Sequence, residues 1–203
     1  MRLLGTPTSP FVRKVHVVAA ELGLGDRLAF EPVVLANSPP DLITANPLRK
    51  VPTLIADDGT AVFDSPVIME WLDAEFGEHR LLPVSGPRRW TALIAAAVAD
   101  GVLEAGAAAR SERAKPPEQQ SAAAIDKQLL KVNGGLDWLE TNRAWRESNM
   151  PDLGQIATAV AVGWLYFRIP DLVDAKRWPA LVAWYQGFAE RPSMISTAPP
   201  APA

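Results

Sequence analysis

The chain contains no cysteine, which removes disulfides, thiolate metal ligands and any nucleophilic or redox cysteine of its own. Histidine is nearly as scarce: His16 and His79 are the two in the sequence and stand far apart. That leaves little material for a His-based metal site or a Ser-His-Asp triad. Neither sign of charge dominates. Twenty Lys and Arg face twenty-three Asp and Glu, a net charge of −3, which argues against nucleic acid or an anionic membrane surface as the main partner. The opening MRLLGTPTSP has no apolar h-region, so no signal peptide is expected. The strongly apolar stretch 156–167 is too short to span a bilayer and reads as a buried helix. Together these absences predict a soluble cytoplasmic protein without a metal. Any thiol chemistry it performs must use a thiol that arrives with a ligand.

What is present organises into two halves. At 203 residues and 48% apolar content, the chain can bury the core of one domain or of two small ones. RLLG reads as a short strand. After Pro10, Phe11, Val15, Val18 and Leu22 recur at spacings of four, three and four, one face of a helix. LAFEPVVL is a second strand, and SPPDLITANP is a loop with one helical turn. VPTLIADDGTAVFDS reads as a hairpin: residues 53–56, a turn at Asp57-Asp58-Gly59, and residues 60–63. A further helix starts at Pro66 and stops with Gly77 in the C′ position. The order β-α-β-α-β-β-α predicts a small α/β layer with a mixed four-stranded sheet over residues 1–78.

A Pro/Gly-containing linker, residues 79–86, follows, and strand signals then disappear. Residues 87–113 and 118–142 read as long helices. The second keeps Ile125, Leu129, Val132, Leu136 and Leu139 in helical register through Gly134 and Gly135, so the period predicts a continuous helix despite the glycines' poor propensity. Residues 151–168 and 177–191 supply two more helices. The region 87–203 is therefore expected to be all-helical, ending in a disordered tail, APPAPA.

Two serine–proline pairs, Ser9-Pro10 and Ser65-Pro66, look like one device used twice: a serine N-cap followed by proline in the first turn. Capping is a sufficient account of each alone. As a pair, each opening a helix directly after a strand, they place two helix N-termini at one edge of a sheet, an arrangement suited to anions. Between them, NPLRKVPTL puts Pro52 at a strand start, where it removes no ladder donor. A cis Val51–Pro52 bond would turn the Val51 backbone toward a peptide-like ligand; an ordinary trans proline is the other reading. Lys50 is placed to meet a carboxylate or, equally, to sit in solvent.

These residues resemble a family. TSPFVRKV at the first strand–helix junction, NPLRKVPTL before the third strand and FDSPVIMEWL after the fourth are similar to the glutathione-binding half of cytosolic glutathione transferases, in particular bacterial members with a serine at the active-site position. The resemblance extends over nearly the whole chain, including ADGVLEAG and AVGWLYFR. It implies a thioredoxin-like N-terminal domain joined to an all-α C-terminal domain, a homodimer, and glutathione as co-substrate in detoxification.

The resemblance further implies that Ser9 is catalytic, donating a hydrogen bond to the glutathione sulfur, with Thr8 and Phe11 flanking it. Val51, before Pro52, would pair with the cysteinyl unit. Asp64 and Ser65 would hold the γ-glutamyl end, and Lys50 the glycine carboxylate. Asp100 is a candidate to reach a neighbouring subunit's γ-glutamyl group, with a solvated helix face as the alternative. Arg110, Trp164 and Phe167 are candidates for the second-substrate pocket, with dipole complementation and core packing as the alternatives. Asp152 and Gln155 in DLGQ form a capping box reversed in residue type from the family's usual Ser/Thr-x-x-Asp, which is folding chemistry. The implied activity is transfer of glutathione to a small hydrophobic electrophile. Another glutathione-dependent reaction (isomerisation, peroxide reduction, dehalogenation) or a non-catalytic binding module stays open.

Overall fold

Leu3 and Leu4 are both fully buried, and their strand, β1 (Arg2–Gly5), is an inner strand of the sheet. The structure is a computed structural model and describes residues 1–37, 39–147 and 150–200. Strand β2 (Ala29–Pro32) runs parallel to β1; β3 (Thr53–Ile55) pairs antiparallel with β1, and β4 (Ala61–Val62) antiparallel with β3. The strand order is β2-β1-β3-β4. Helices α1 (Pro10–Glu21), α2 (Pro40–Ala45) and α3 (Ser65–Phe76) complete the expected β-α-β-α-β-β-α order, a thioredoxin-like layer. Of the four periodic residues, Val15 and Val18 of α1 and its C-cap Leu22 are buried and Phe11 is half-buried, and α1 packs on α3.

The expected strand 28–35 is shorter in the structure, because its partner β1 ends at Gly5 opposite Pro32 and leaves no ladder beyond it. The hairpin turn forms as expected: Gly59 takes φ 88°, its N–H donates to Ala56 O at 3.0 Å, and Thr60 N–H donates to the Asp58 side chain at 2.8 Å. The one helical turn expected near Pro40 is a six-residue helix. Ser38 of that segment lies outside the described residues.

Two readings at α3 are corrected. Ser65 is not the N-cap. Asp64 occupies that position without a side-chain capping bond, and Ser65 is the first helical residue. Nor is Gly77 the C′ residue. It is the C-cap, with right-handed φ −105°, and the positive φ values fall on Glu78 and His79. Glycine is needed there for space: a Cβ would lie 2.3 Å from Asp73 Oδ1 and 2.7 Å from Leu22. Asp73 is fully buried, and its carboxylate accepts from Leu81 N–H at 3.0 Å and Leu82 N–H at 2.7 Å, so the chain must turn tightly over the helix end.

The chain divides into two compact units. The first comprises Met1–Val84 and the chain from Arg191; the second is Ser85–Glu190. The segment from Arg191 thus groups with the α/β unit, whereas the sequence placed it with the helical region. A short helix there, α8 (Pro192–Ser196), packs on α1. Arg191 forms a two-pronged ion pair with Glu21 at 2.8 and 2.9 Å, Ser193 donates to the same carboxylate, and Arg13 donates to Met194 O at 3.0 Å. Of the tail expected to be disordered, residues 201–203 lie outside the described residues.

The second unit contains α4 (Pro87–Arg113), α5 (Ala122–Thr141), α6 (Leu153–Arg168) and α7 (Pro179–Ala189). Helix α5 starts four residues later than expected, after a 3-10 turn at Pro117–Gln119, and runs unbroken through Gly134 and Gly135. A Cβ at Gly135 would lie 2.4 Å from Val102 Cγ2 of α4. Close helix–helix packing therefore outweighs the glycine's propensity cost of about 1 kcal/mol. Helix α6 is buried at every residue from Leu153 to Leu165. Its capping box is formed: Gln155 N–H donates to Asp152 Oδ1 at 2.8 Å, and Asp152 N–H to Gln155 Oε1 at 3.4 Å. By length and composition α4, at 27 residues, could cross a bilayer, a longer apolar helix than the stretch 156–167 singled out by sequence. Here α5 and α6 pack along it.

Candidate functional site

Strand register decides where the candidate residues meet. Thr53 at the start of β3 lies opposite Leu4 near the end of β1, and Val62 of β4 lies opposite Leu54. The segment after β1 (Thr6–Ser9), the segment before β3 (Lys50–Pro52) and the segment after β4 (Phe63–Ser65) therefore collect at one edge of the sheet. Both α1 and α3 start at that edge, so their unsatisfied N-terminal N–H groups and positive dipole ends open there together.

Ser9 is the N-cap of α1. Its Oγ accepts from Val12 N–H at 3.4 Å, long for a hydrogen bond. Its own N–H donates to Thr6 O at 3.1 Å, which fixes the turn out of β1. Proline at the first helical position has no N–H, and so leaves one orphan donor fewer at the helix start. Thr8 and Phe11 are half-buried beside it.

The Val51–Pro52 peptide is cis, and Pro52 is buried. Its loop is built around Asn46, a buried side chain that the sequence reading passed over. Asn46 Nδ2 donates to Lys50 O at 3.1 Å and to Thr53 Oγ1 at 3.0 Å; its Oδ1 accepts from Leu48 N–H at 2.9 Å. Thr53 Oγ1 in turn donates to Lys50 O at 2.9 Å. The Asn-Pro dipeptide was the available signal, since an Asn side chain that bonds the backbone two residues on makes an Asx turn. Lys50 itself is exposed. At the third segment, Asp64 is exposed and Ser65 buried, and the Phe63–Asp64 peptide is also cis.

Lys14 was missed as well. It is fully buried on α1, and its ammonium lies 5.2 Å from the centre of the Phe11 ring. Its position was legible: Lys14 stands three residues after Phe11 and four before Val18, on the apolar stripe itself.

The remaining candidates belong to the helical unit. Asp100 is half-buried on α4 and Arg110 is exposed on the same helix. Trp164 is buried against α4 at Gly106, where a Cβ would come within 3.0 Å of its ring. Phe167 is half-buried beneath the Arg168 guanidinium, 4.1 Å from its ring centre. Burial, together with the like charge of Arg110, lowers the Arg168 guanidinium. His16 and His79 do not form a site together: His16 packs edge-on against Phe30, and His79 is exposed in the turn after α3. Among the described residues no group of three His, Asp or Glu is placed to hold a metal.

Comparison with known proteins gives concordant matches. A family model described as "Glutathione S-transferase, N-terminal domain" matches residues 8–75. YibF of Escherichia coli (strain K12), named as an uncharacterized GST-like protein, is 34% identical over 202 residues, covering 98% of this chain and 99% of that protein. A glutathione transferase family member from Pseudomonas fluorescens Pf-5, solved with bound glutathione, has a TM-score of 0.92 at 37% identity, over 98% of this chain and 99% of that one. A glutathione S-transferase from Methylobacillus flagellatus KT, solved with GSH bound, has a TM-score of 0.84 at 34% identity, over 98% and 99% of the two chains.

Proposed function

We propose that this chain, which belongs to the glutathione S-transferase family, binds glutathione at the sheet edge between Ser9, Val51–Pro52 and Ser65 and transfers it to a small hydrophobic electrophile. The observation that carries this reading is the register-driven meeting of those three segments with two helix N-termini.

Ser9 acts as a donor to the sulfur, not as a nucleophile. A free thiol ionises near pH ~8.5, and making it mostly thiolate at neutral pH requires about two units, or ~2.7 kcal/mol. A hydrogen bond to a charged sulfur contributes roughly 1.5–3 kcal/mol. The α1 N-terminus adds ~0.3–1 kcal/mol. Together these suffice without a general base. The Val51 backbone pairs with the cysteinyl unit, Asp64 and Ser65 hold the γ-glutamyl end, and Lys50 meets the glycine carboxylate. Thr8 and Phe11 flank the sulfur. Arg110, Trp164 and Phe167 are the residues we assign to the electrophile.

The working assembly we propose is a homodimer. On α4, Trp90 is 61% exposed and Ile94, one turn on, is 50% exposed, an apolar stripe of the kind that a second copy covers. Asp100, further along α4, is then the residue proposed to reach the partner's γ-glutamyl group. The reaction belongs in the cytoplasm, where thiols are kept reduced.

Calorimetric titration of the purified chain with glutathione, followed by a panel of model electrophiles, tests the reading. Saturable binding with turnover of at least one electrophile is expected. No binding overturns the site, and binding without turnover overturns the enzyme.

A further inference from the structure

A concavity lies in the α/β unit beside α1, on residues that the glutathione reading does not use. It is a cavity of about 240 Å³ walled by Pro7, Val12, Arg13 and His16 on one side, Phe30 of β2 on another, and Thr197 of the C-terminal segment on a third. An enclosed apolar cavity of about 150 Å³ admits benzene; this one, larger but open to solvent on one side, has room for a six-membered ring bearing one polar substituent.

Its chemistry is mixed in a definite way. The His16 and Phe30 rings meet edge to face with centroids 5.0 Å apart, which offers a flat ligand an aromatic corner. Burial lowers the His16 imidazole below its ordinary value, so at neutral pH it is an uncharged donor and acceptor. Arg13 supplies a permanent cation on the wall. The third wall is fixed in place. Arg13 donates to Met194 O, Thr197 Oγ1 to Ser193 O at 2.7 Å, and the Glu21–Arg191 ion pair ties the segment to α1. The cavity therefore exists because the C-terminal segment returns to the first unit.

We infer that this cavity is a second ligand site, taking a small aromatic carboxylate with its ring against Phe30 and His16 and its charge toward Arg13. The site stands whether or not glutathione binds elsewhere. It also adjoins the Ser9 turn. Pro7 precedes Ser9 by two residues, and Val12 supplies the N–H that Ser9 Oγ accepts. An occupant therefore touches the chain on both sides of Ser9.

The test is a heteronuclear NMR titration of the full chain with benzoate, and with benzamide as its uncharged counterpart. Saturable shifts centred on Val12, His16, Phe30 and Thr197 are expected, extending to the Ser9 amide, with a dissociation constant no weaker than about 1 mM. Benzamide is expected to bind at least tenfold more weakly. Ser196 and Ala198 are exposed at the rim. Ser196→Trp, and separately Ala198→Trp should the first disturb the fold, are expected to weaken benzoate binding at least tenfold. Shifts that do not saturate, or that map elsewhere, overturn the site. Equal binding of benzamide overturns the assignment of an anionic ligand, and unweakened binding in both folded rim variants overturns the location.

Discussion

Asn46 and Thr53 hold each other across the loop that presents Lys50, Val51 and Pro52: Asn46 Nδ2 lies 3.0 Å from Thr53 Oγ1, and both side chains donate to Lys50 O. Neither residue need touch a ligand for this to matter. Each is buried, and the carbonyl they share sits two residues before the cis-proline. Asn46→Ala leaves Thr53 Oγ1 without its donor and Lys50 O with one partner fewer. The expected cost is about 1–3 kcal/mol of stability, with weakened glutathione binding in the protein that still folds. Denaturant unfolding and calorimetry measure the two effects. Glutathione affinity equal to wild type would separate this loop from the site.

Ser9→Ala distinguishes helix capping from thiolate stabilisation. The 3.4 Å bond from Val12 N–H is a weak cap, so the stability loss is expected at the low end, about 0.5 kcal/mol. The ultraviolet absorbance of bound thiolate, by contrast, is expected to vanish at neutral pH as the bound thiol's pKa rises by about one to two units. Affinity for glutathione should change little. Unchanged absorbance in the variant would remove Ser9 from the mechanism.

Ser65 is buried at the first position of α3, whereas Asp64 before it is exposed. Ser65→Ala is expected to weaken glutathione binding by about tenfold, or ~1.4 kcal/mol, and to leave the bound thiol's pKa where it was. A variant that shifted the thiol and spared the affinity would reverse the division of labour proposed for the two serines.

Glu21 gives a pH dependence with a definite sign. Burial alone would raise its carboxyl, but hydrogen bonds from Arg191 and Ser193, with the charges of Arg191 and Arg80, hold it below the ordinary glutamate range. A carboxyl depressed in the folded state contributes stability that is complete above the unfolded value of about 4.3 and is lost as pH falls through the folded value. Glu21→Gln is expected to cost about 1–2 kcal/mol at neutral pH, the low side for bonds to charged groups because Arg191 is partly solvated. The gap between wild type and variant should close toward acid. Unfolding curves at neutral pH and near pH ~3 test this; a gap that widened at low pH would contradict it.

Much of the architecture was readable in one dimension. The stripe of Val15, Val18 and Leu22, the Asp57–Gly59 turn and the capping box at Asp152 depend on neighbours a few residues away, and each formed as expected. The errors came where distant groups compete. Gly77 looked like a C′ stop, but it is the C-cap and a spacer under Asp73 and Leu22. Ser65 looked like a second cap because Ser9 is one, yet α3 begins a residue earlier than that pattern requires. Lys14 and Asn46 each carried a local signal, the helical spacing from Phe11 and Val18 and the Asn-Pro dipeptide, but their full burial depends on what packs over them.

From the amino-acid order alone came the absence of a protein thiol, the succession of strands and helices, and the serine at the mouth of α1, because periodicity and capping act over one or two turns. Tertiary structure decided that three separated segments meet at one edge of the sheet, that Gly135 lets α5 lie against Val102, and that the chain from Arg191 returns to α1 and walls a cavity. Those outcomes rest on strand register, close approach and ion pairs between residues as far apart as Glu21 and Arg191, interactions that exist only once the chain has folded.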